Sequence, residues 1–181
     1  MSGISIVHAL IGLLTLLLAI GILSRRKGDR LHRQLGWIVV CGMVLALASA
    51  ITLGVLHVFD AFDAYAVAAL AALLGAVAAS RCRDRLPDWR FWHGALMCFT
   101  VLTAVAALSG VIGGILIGDG SGPRFYRLFN ILIILVTVSA LLMINLRLGK
   151  LIGPGRSKRP LLLYNGGVAL VTAFLVIMQA P

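Results

Sequence analysis

No lysine, arginine or glutamate interrupts any of the six long apolar runs in this 181-residue chain. Ionisable residues inside a membrane mark ion and proton pathways, so a pump would lack its usual relay here. The missing mid-membrane lysine also removes a retinal-type Schiff base. Charged residues make up only 12% of the chain, whereas a soluble domain carries about a quarter, and that scarcity places the chain in lipid. The three cysteines, Cys41, Cys82 and Cys98, form no C-x-x-C pair and fall toward the side where thiols stay reduced, which argues against disulfides. No Ser/His/Asp order and no pair of carboxylates emerges, so catalytic residues for hydrolysis cannot be assigned. The glycine-rich stretch Gly118 to Pro123 lacks the Lys-Ser/Thr of a phosphate-binding loop and reads as a turn.

What is present is apolar length. Hydrophobic residues form 61% of the chain, and a transmembrane helix needs about 20 of them in succession. Six candidate spans follow, at about 4–23, 36–58, 64–80, 94–117, 128–146 and 161–178. The predicted fold is all-α: one transmembrane domain over residues 1–181, a six-helix bundle of three helical hairpins. A net charge of +10 would suit nucleic acid only if it formed a basic face on a soluble module. Here the cations sit in short gaps between apolar runs, and that partner is set aside.

Those gaps orient the chain. Of the 16 Lys and Arg residues, all but Arg124 and Arg127 fall in three loops on one side. Arg25, Arg26, Lys27, Arg30 and Arg33 occupy the first, Arg81, Arg83, Arg85 and Arg90 the second, and Arg147, Lys150, Arg156, Lys158 and Arg159 the third. Cytoplasmic loops collect such charge, so both termini are expected outside. The same cations are expected to meet anionic lipid headgroups, beside Trp37, Trp89 and Trp92 at the interface. The first span has no preceding Lys or Arg, the reverse of a secretory signal's charge order, and reads as a retained helix.

The first two basic loops resemble each other, Ser24-Arg-Arg-Lys-Gly-Asp-Arg-Leu31 and Ser80-Arg-Cys-Arg-Asp-Arg-Leu86. Either a helical hairpin is duplicated or arginine-rich turns have converged. Helices in lipid associate largely through small residues that let backbones approach. Ala46, Ala50 and Gly54, then Ala68 and Ala72, then Ala106, Gly110 and Gly114 recur at intervals of four within their spans, which keeps each set near one helix face. Spans two, three and four are therefore expected at the centre, with spans one, five and six nearer lipid.

Four histidines carry the candidate chemistry. His8 and His57 lie toward the outer face and could hold haem b or a quinone, since imidazole is a common axial ligand. A second haem at the other face meets a geometric objection. His32 and His57 are 25 residues apart, about 37 Å on one helix, which exceeds the ~30 Å hydrocarbon core. Interfacial hydrogen bonding, to Asp60 or Asp63, is the plainer role for the outer pair. His32, His93, Met97 and Cys98 lie at similar depth and form a soft donor set for copper(I) or zinc, with His93 and Met97 four apart on one face. A free cysteine is more often a small buried hydrophobe.

His8-Ala-Leu-Ile-Gly12 and Lys27-Gly-Asp-Arg-Leu-His32-Arg-Gln-Leu-Gly36-Trp37 resemble a group of small polytopic bacterial membrane proteins of uncharacterised activity. In those, a histidine-bearing first helix precedes a K-G-x-x-x-H-R-x-x-G turn. Arg90-Phe-Trp-His93-Gly-Ala-Leu-Met97 is similar to a later element of that group in keeping the histidine and methionine. The resemblance implies a multi-pass protein of the bacterial inner membrane and singles out His8, His32 and His93. Some similar proteins are associated with respiratory-oxidase maturation or redox partners. The expected function is an accessory, assembly or stabilising subunit of a larger membrane complex, joined to a membrane-protein partner or to further copies of itself. The alternatives are a small redox protein using His8 and His57, and a transporter of small solutes or lipid.

Overall fold

A computed structural model describes residues 3–23, 29–55, 61–117 and 158–177, together with Ile131, Ile134, Leu135, Val138, Leu142 and Asn145. The regular elements among them are helices: α1 (Gly3–Leu23), α2 (Arg30–Val55), α3 (Ala61–Arg81), α4 (Trp89–Ile117) and α5 (Arg159–Ile177). The protein is all-α over these residues. Three helices carry stretches long and apolar enough to cross a membrane, Arg30–Leu53, Asp63–Arg81 and Trp89–Ser109, and Ile6–Ile22 is a shorter apolar helix. Most of the span expected at 128–146 lies outside the described residues. Its described members Ile131, Ile134, Leu135, Val138 and Leu142 are helical and exposed, at the three- and four-residue spacing of one helix face.

The helices start earlier than the apolar runs. α2 begins at Arg30 rather than near 36, because Asp29 caps it: its carboxylate accepts the backbone N–H of His32, and its carbonyl accepts that of Arg33 at 3.2 Å. An aspartate at this position satisfies donors that the helix leaves open. α4 begins at Trp89 rather than near 94, the Asp88 carbonyl accepting the Trp92 N–H at 3.1 Å. In α5 the Lys158 carbonyl accepts the Leu162 N–H at 3.1 Å, and Pro160 sits in the first turn, where its missing N–H costs nothing. Hydropathy marks only the apolar part of a helix, and these polar first turns lie beyond it.

Two compact units divide the chain, Met1–Ala71 and Ala72–Pro181. In the first, α1 and α2 form an antiparallel hairpin, with His8 beside Ala46 and Ser49 and Thr15 beside Gly42. Thr15, Leu16, Ala19 and Ile22 of α1 are buried, as are Val39, Met43 and Ala46 of α2. The opposite side of α1 shows Leu10, Leu13, Leu14, Leu17 and Leu18. α1 is expected among the lipid-facing spans, and this leucine face is exposed. Its other face nevertheless makes a very close approach: a Cβ on Gly42 would overlap Thr15 Oγ1 and come within 3.0 Å of its Cγ2.

In the second unit a tight turn, with Leu86 N–H bonded to the Cys82 carbonyl at 3.0 Å, joins the end of α3 to α4. A Cβ on Gly75 would lie 3.2 Å from Leu96. Phe91 and Ala95 of α4 form a core with Tyr164 and Val168 of α5. Phe91 meets Tyr164 edge-on, ring centres 6.2 Å apart, and Trp92 at 5.5 Å, the arrangement that aromatic quadrupoles favour. Phe91 and Tyr164 lie close to the starts of their helices, and Val168, one turn deeper, packs with Ala95, so α4 and α5 start at the same end and run in the same sense.

Hydroxyl groups in these helices bond back to their own backbone. Thr100 donates to the Leu96 carbonyl at 3.0 Å, Thr103 to Thr100 at 2.8 Å, Ser109 to Val105 at 2.9 Å and Thr172 to Val168 at 2.8 Å. Such bonds leave no hydroxyl donor to be solvated, which is what a hydrocarbon environment requires. Of the small residues expected at interfaces, Ala46, Ala72 and Ala106 are buried and Ala50 and Ala68 half-buried. Gly54 lies in α2, and Gly110 and Gly114 lie in α4.

Candidate functional site

His8 stands on the inner face of α1, half-buried, where the close approach of α2 brings two oxygen atoms to its ring. Its Nδ1 is 3.1 Å from the Ala46 carbonyl and 2.9 Å from Ser49 Oγ, and the Ser49 hydroxyl itself donates to the Ala46 carbonyl at 2.8 Å. A carbonyl can only accept, and the serine proton is already directed to it. Nδ1 must therefore carry the proton, because a bare nitrogen would set its lone pair against that of the carbonyl. In the neutral ring the remaining lone pair is then on Nε2.

This tautomer sorts the candidate ligands. Histidines that bind metals or haem iron commonly donate one ring N–H to a backbone carbonyl, which fixes the ring and leaves the other nitrogen as ligand. His8 has that arrangement. A quinone carbonyl needs a donor, and neutral His8 has already committed its only one to α2. His57, the expected second partner of His8, lies outside the described residues, as does Asp60. Asp63 is in the first turn of α3 and buried.

His93 repeats the arrangement in the second unit. Its Nδ1 is 2.9 Å from the Ala76 carbonyl of α3, so again Nδ1 carries the proton and Nε2 the lone pair. Of the other members of the expected soft donor set, Met97 and Cys98 follow His93 along α4 and His32 is on α2. Cys98 packs against the Phe91–Tyr164 core, and Met97 is half-buried one turn beyond His93. His32 lies in the first turn of α2, where its backbone N–H bonds to Asp29. Among the described residues no group of three or more His, Cys, Asp or Glu side chains converges as a metal cage would. Lys27 and Gly28 of the K-G-x-x-x-H-R-x-x-G turn lie outside the described residues, and its Asp29-to-Arg33 portion is the capped start of a helix.

Two further polar links tie the second unit together. Tyr164 donates to the Ala95 carbonyl at 3.2 Å. Asn145 and Asn165 exchange amide hydrogen bonds, 3.3 Å in one direction and 3.1 Å in the other, an arrangement well suited to an interior without water. The cations at the start of α4 and α5 are exposed, Arg90 lying 5.5 Å over the Trp89 ring. Arg30, Arg33, Arg81, Arg83 and Arg85 are exposed as well. Arg25, Arg26, Lys27, Lys150 and Arg156 lie outside the described residues.

Sequence reasoning missed Gly42, Thr15 and Ser49. Gly42 was legible, since it stands four before Ala46 and extends the 46–50–54 series by one step. Ser49 carried no such signal, because its role depends on where α1 places His8. No protein-family model, no curated protein and no solved structure matches this chain.

Proposed function

We propose that this chain is a multi-pass protein of a bacterial inner membrane, with six spans and both termini outside, serving as an accessory, assembly or stabilising subunit of a larger membrane complex, a respiratory one where the resemblance noted above is followed. The observation that carries it is the division of surfaces. Polar side chains bond inward to neighbouring backbone, as His8, His93 and Tyr164 do, while Leu162, Leu163 and Leu170 of α5 are 68%, 67% and 74% exposed. Broad apolar faces of this kind suit lipid and the apolar flanks of other membrane proteins. The common starting end of α4 and α5 fits one crossing between them, as the six-span reading requires.

Topology is tested with thiols. Cys82 lies exposed in the turn after α3 and Cys41 exposed on α2. A membrane-impermeant maleimide is expected to label Cys82 in inverted vesicles only, and Cys41 in neither orientation until detergent is added. Labelling of Cys82 in intact spheroplasts would reverse the orientation. Function is tested by isolating the full chain in mild detergent, where a larger complex is the expected companion and the separated chain itself carries no chromophore.

A haem-binding role is the second reading, and the Nδ1–H of His8 held by Ala46 and Ser49 is the observation in its favour. If it holds, the purified protein shows a Soret band that His8→Ala abolishes and Ser49→Ala shifts or weakens. That result would displace the accessory role.

A further inference from the structure

The end of the second unit where α3 finishes and α4 and α5 start gathers Arg81, Arg83, Arg85, Arg90, Lys158 and Arg159, all exposed. Chain connectivity brings the first four together, across the tight turn that spans residues 82–88. The Phe91–Tyr164 contact and the Tyr164–Ala95 hydrogen bond bring the last two alongside. Two acids share this end. Asp84 is 91% exposed and 3.7 Å from Arg83, and Asp88 sits at the cap of α4. The cations outnumber them clearly, and the positive ends of the α4 and α5 dipoles add to the same sign. The negative end of α3 is met by Arg81 in its own last turn.

Beside these cations stand the half-buried indoles Trp89 and Trp92, with Arg90 over the Trp89 ring and Trp92 edge-on to the buried Phe91. Indoles favour the headgroup level of a bilayer, so this pair sets the cations at the depth of lipid phosphates. The geometry points to a binding site for an anionic phospholipid here, its phosphodiester held by the cations and its acyl chains lying along the apolar flank of α5. This rests on the membrane reading above and adds to it a localised site, distinct from the diffuse attraction of every basic loop. Basic clusters between transmembrane helices on the cytoplasmic side hold such headgroups in general.

The test uses the full chain, reconstituted in phosphatidylcholine vesicles with or without phosphatidylglycerol, then released into mild detergent and weighed by native mass spectrometry. Wild type is expected to retain one phosphatidylglycerol in preference to phosphatidylcholine. The triple variant Arg85→Gln, Arg90→Gln, Lys158→Gln is expected to lose that preference on the order of a hundredfold, from about 1 kcal/mol per cation. Removing the same charge at Lys27, Arg30 and Arg33 is expected to leave the retained lipid in place. An equal loss in both variants would reduce the site to diffuse surface charge, and retention of neither lipid would overturn it. Displacement of the lipid by inorganic phosphate would make it a soluble-anion site instead. Flotation of the protein with vesicles is read separately, so a failure of membrane insertion is not mistaken for a failure of lipid selection.

Discussion

Gly42→Leu is expected to force α1 away from α2 and to lower the stability of the detergent-solubilised protein by about 1–3 kcal/mol, the usual range for overpacking a filled interior. The space beside Gly42 is already taken by Thr15, whose Oγ1 an added Cβ would overlap and whose own Cβ would be 3.2 Å away. Gly42→Ala is expected to cost less, because the threonine can rotate its hydroxyl aside, whereas a leucine needs room that only helix separation provides. Between helices in lipid there is little hydrophobic drive to offset such a gap, so backbone proximity carries an unusual share of the association. Thr15→Ala in the same chain is expected to restore part of the Gly42→Ala loss, and a double-mutant cycle would measure that coupling. Unfolding curves for Gly42→Leu that overlay wild type would show that the hairpin does not depend on this contact.

The second large effect is expected at the paired amides. Asn165→Leu removes one partner and leaves the Asn145 side chain without the two bonds it now exchanges. Stranding a fully buried polar group costs about 1–3 kcal/mol, an upper bound for this part-buried pair, whereas replacing both partners by apolar groups can be nearly neutral. Asn145→Leu combined with Asn165→Leu is therefore expected to be more stable than Asn165→Leu alone. Direct measurements of interhelical hydrogen bonds in lipid average about 0.6 kcal/mol, so a penalty for the single change well above that figure would point to the cost of breaking the amide pair unevenly. If the double variant is the less stable of the two, the pair contributes more as a bond than as a mutual satisfaction of polar groups.

Much of the helical framework was legible because apolar runs without lysine, arginine or glutamate have few other folds open to them. Helix starts were not, since Asp29, Asp88 and Lys158 are polar residues whose capping role depends on backbone direction rather than hydropathy. The alanine and glycine spacings include the buried Ala46, Ala72 and Ala106, and the same spacing run back one step from Ala46 reaches Gly42. His8 and His93 could be singled out as the rare titratable groups near the spans. Their tautomers could not, because these follow from the positions of the Ala46 and Ala76 carbonyls. The asparagine pair and the Tyr164–Ala95 bond join residues 20 and 69 positions apart, separations at which local periodicity carries no information.

The seat of α5 against α4 has a bearing on biogenesis. The first hairpin uses neighbours in sequence and can zip as soon as its second strand of polypeptide leaves the ribosome. Tyr164, in contrast, completes the surroundings of Phe91 and the Ala95 carbonyl only after some 69 further positions have been synthesised. Until then the Phe91 ring and the Ala95 carbonyl lack the contacts that Tyr164 supplies. α5 thus completes this core only well after α4 itself has been made.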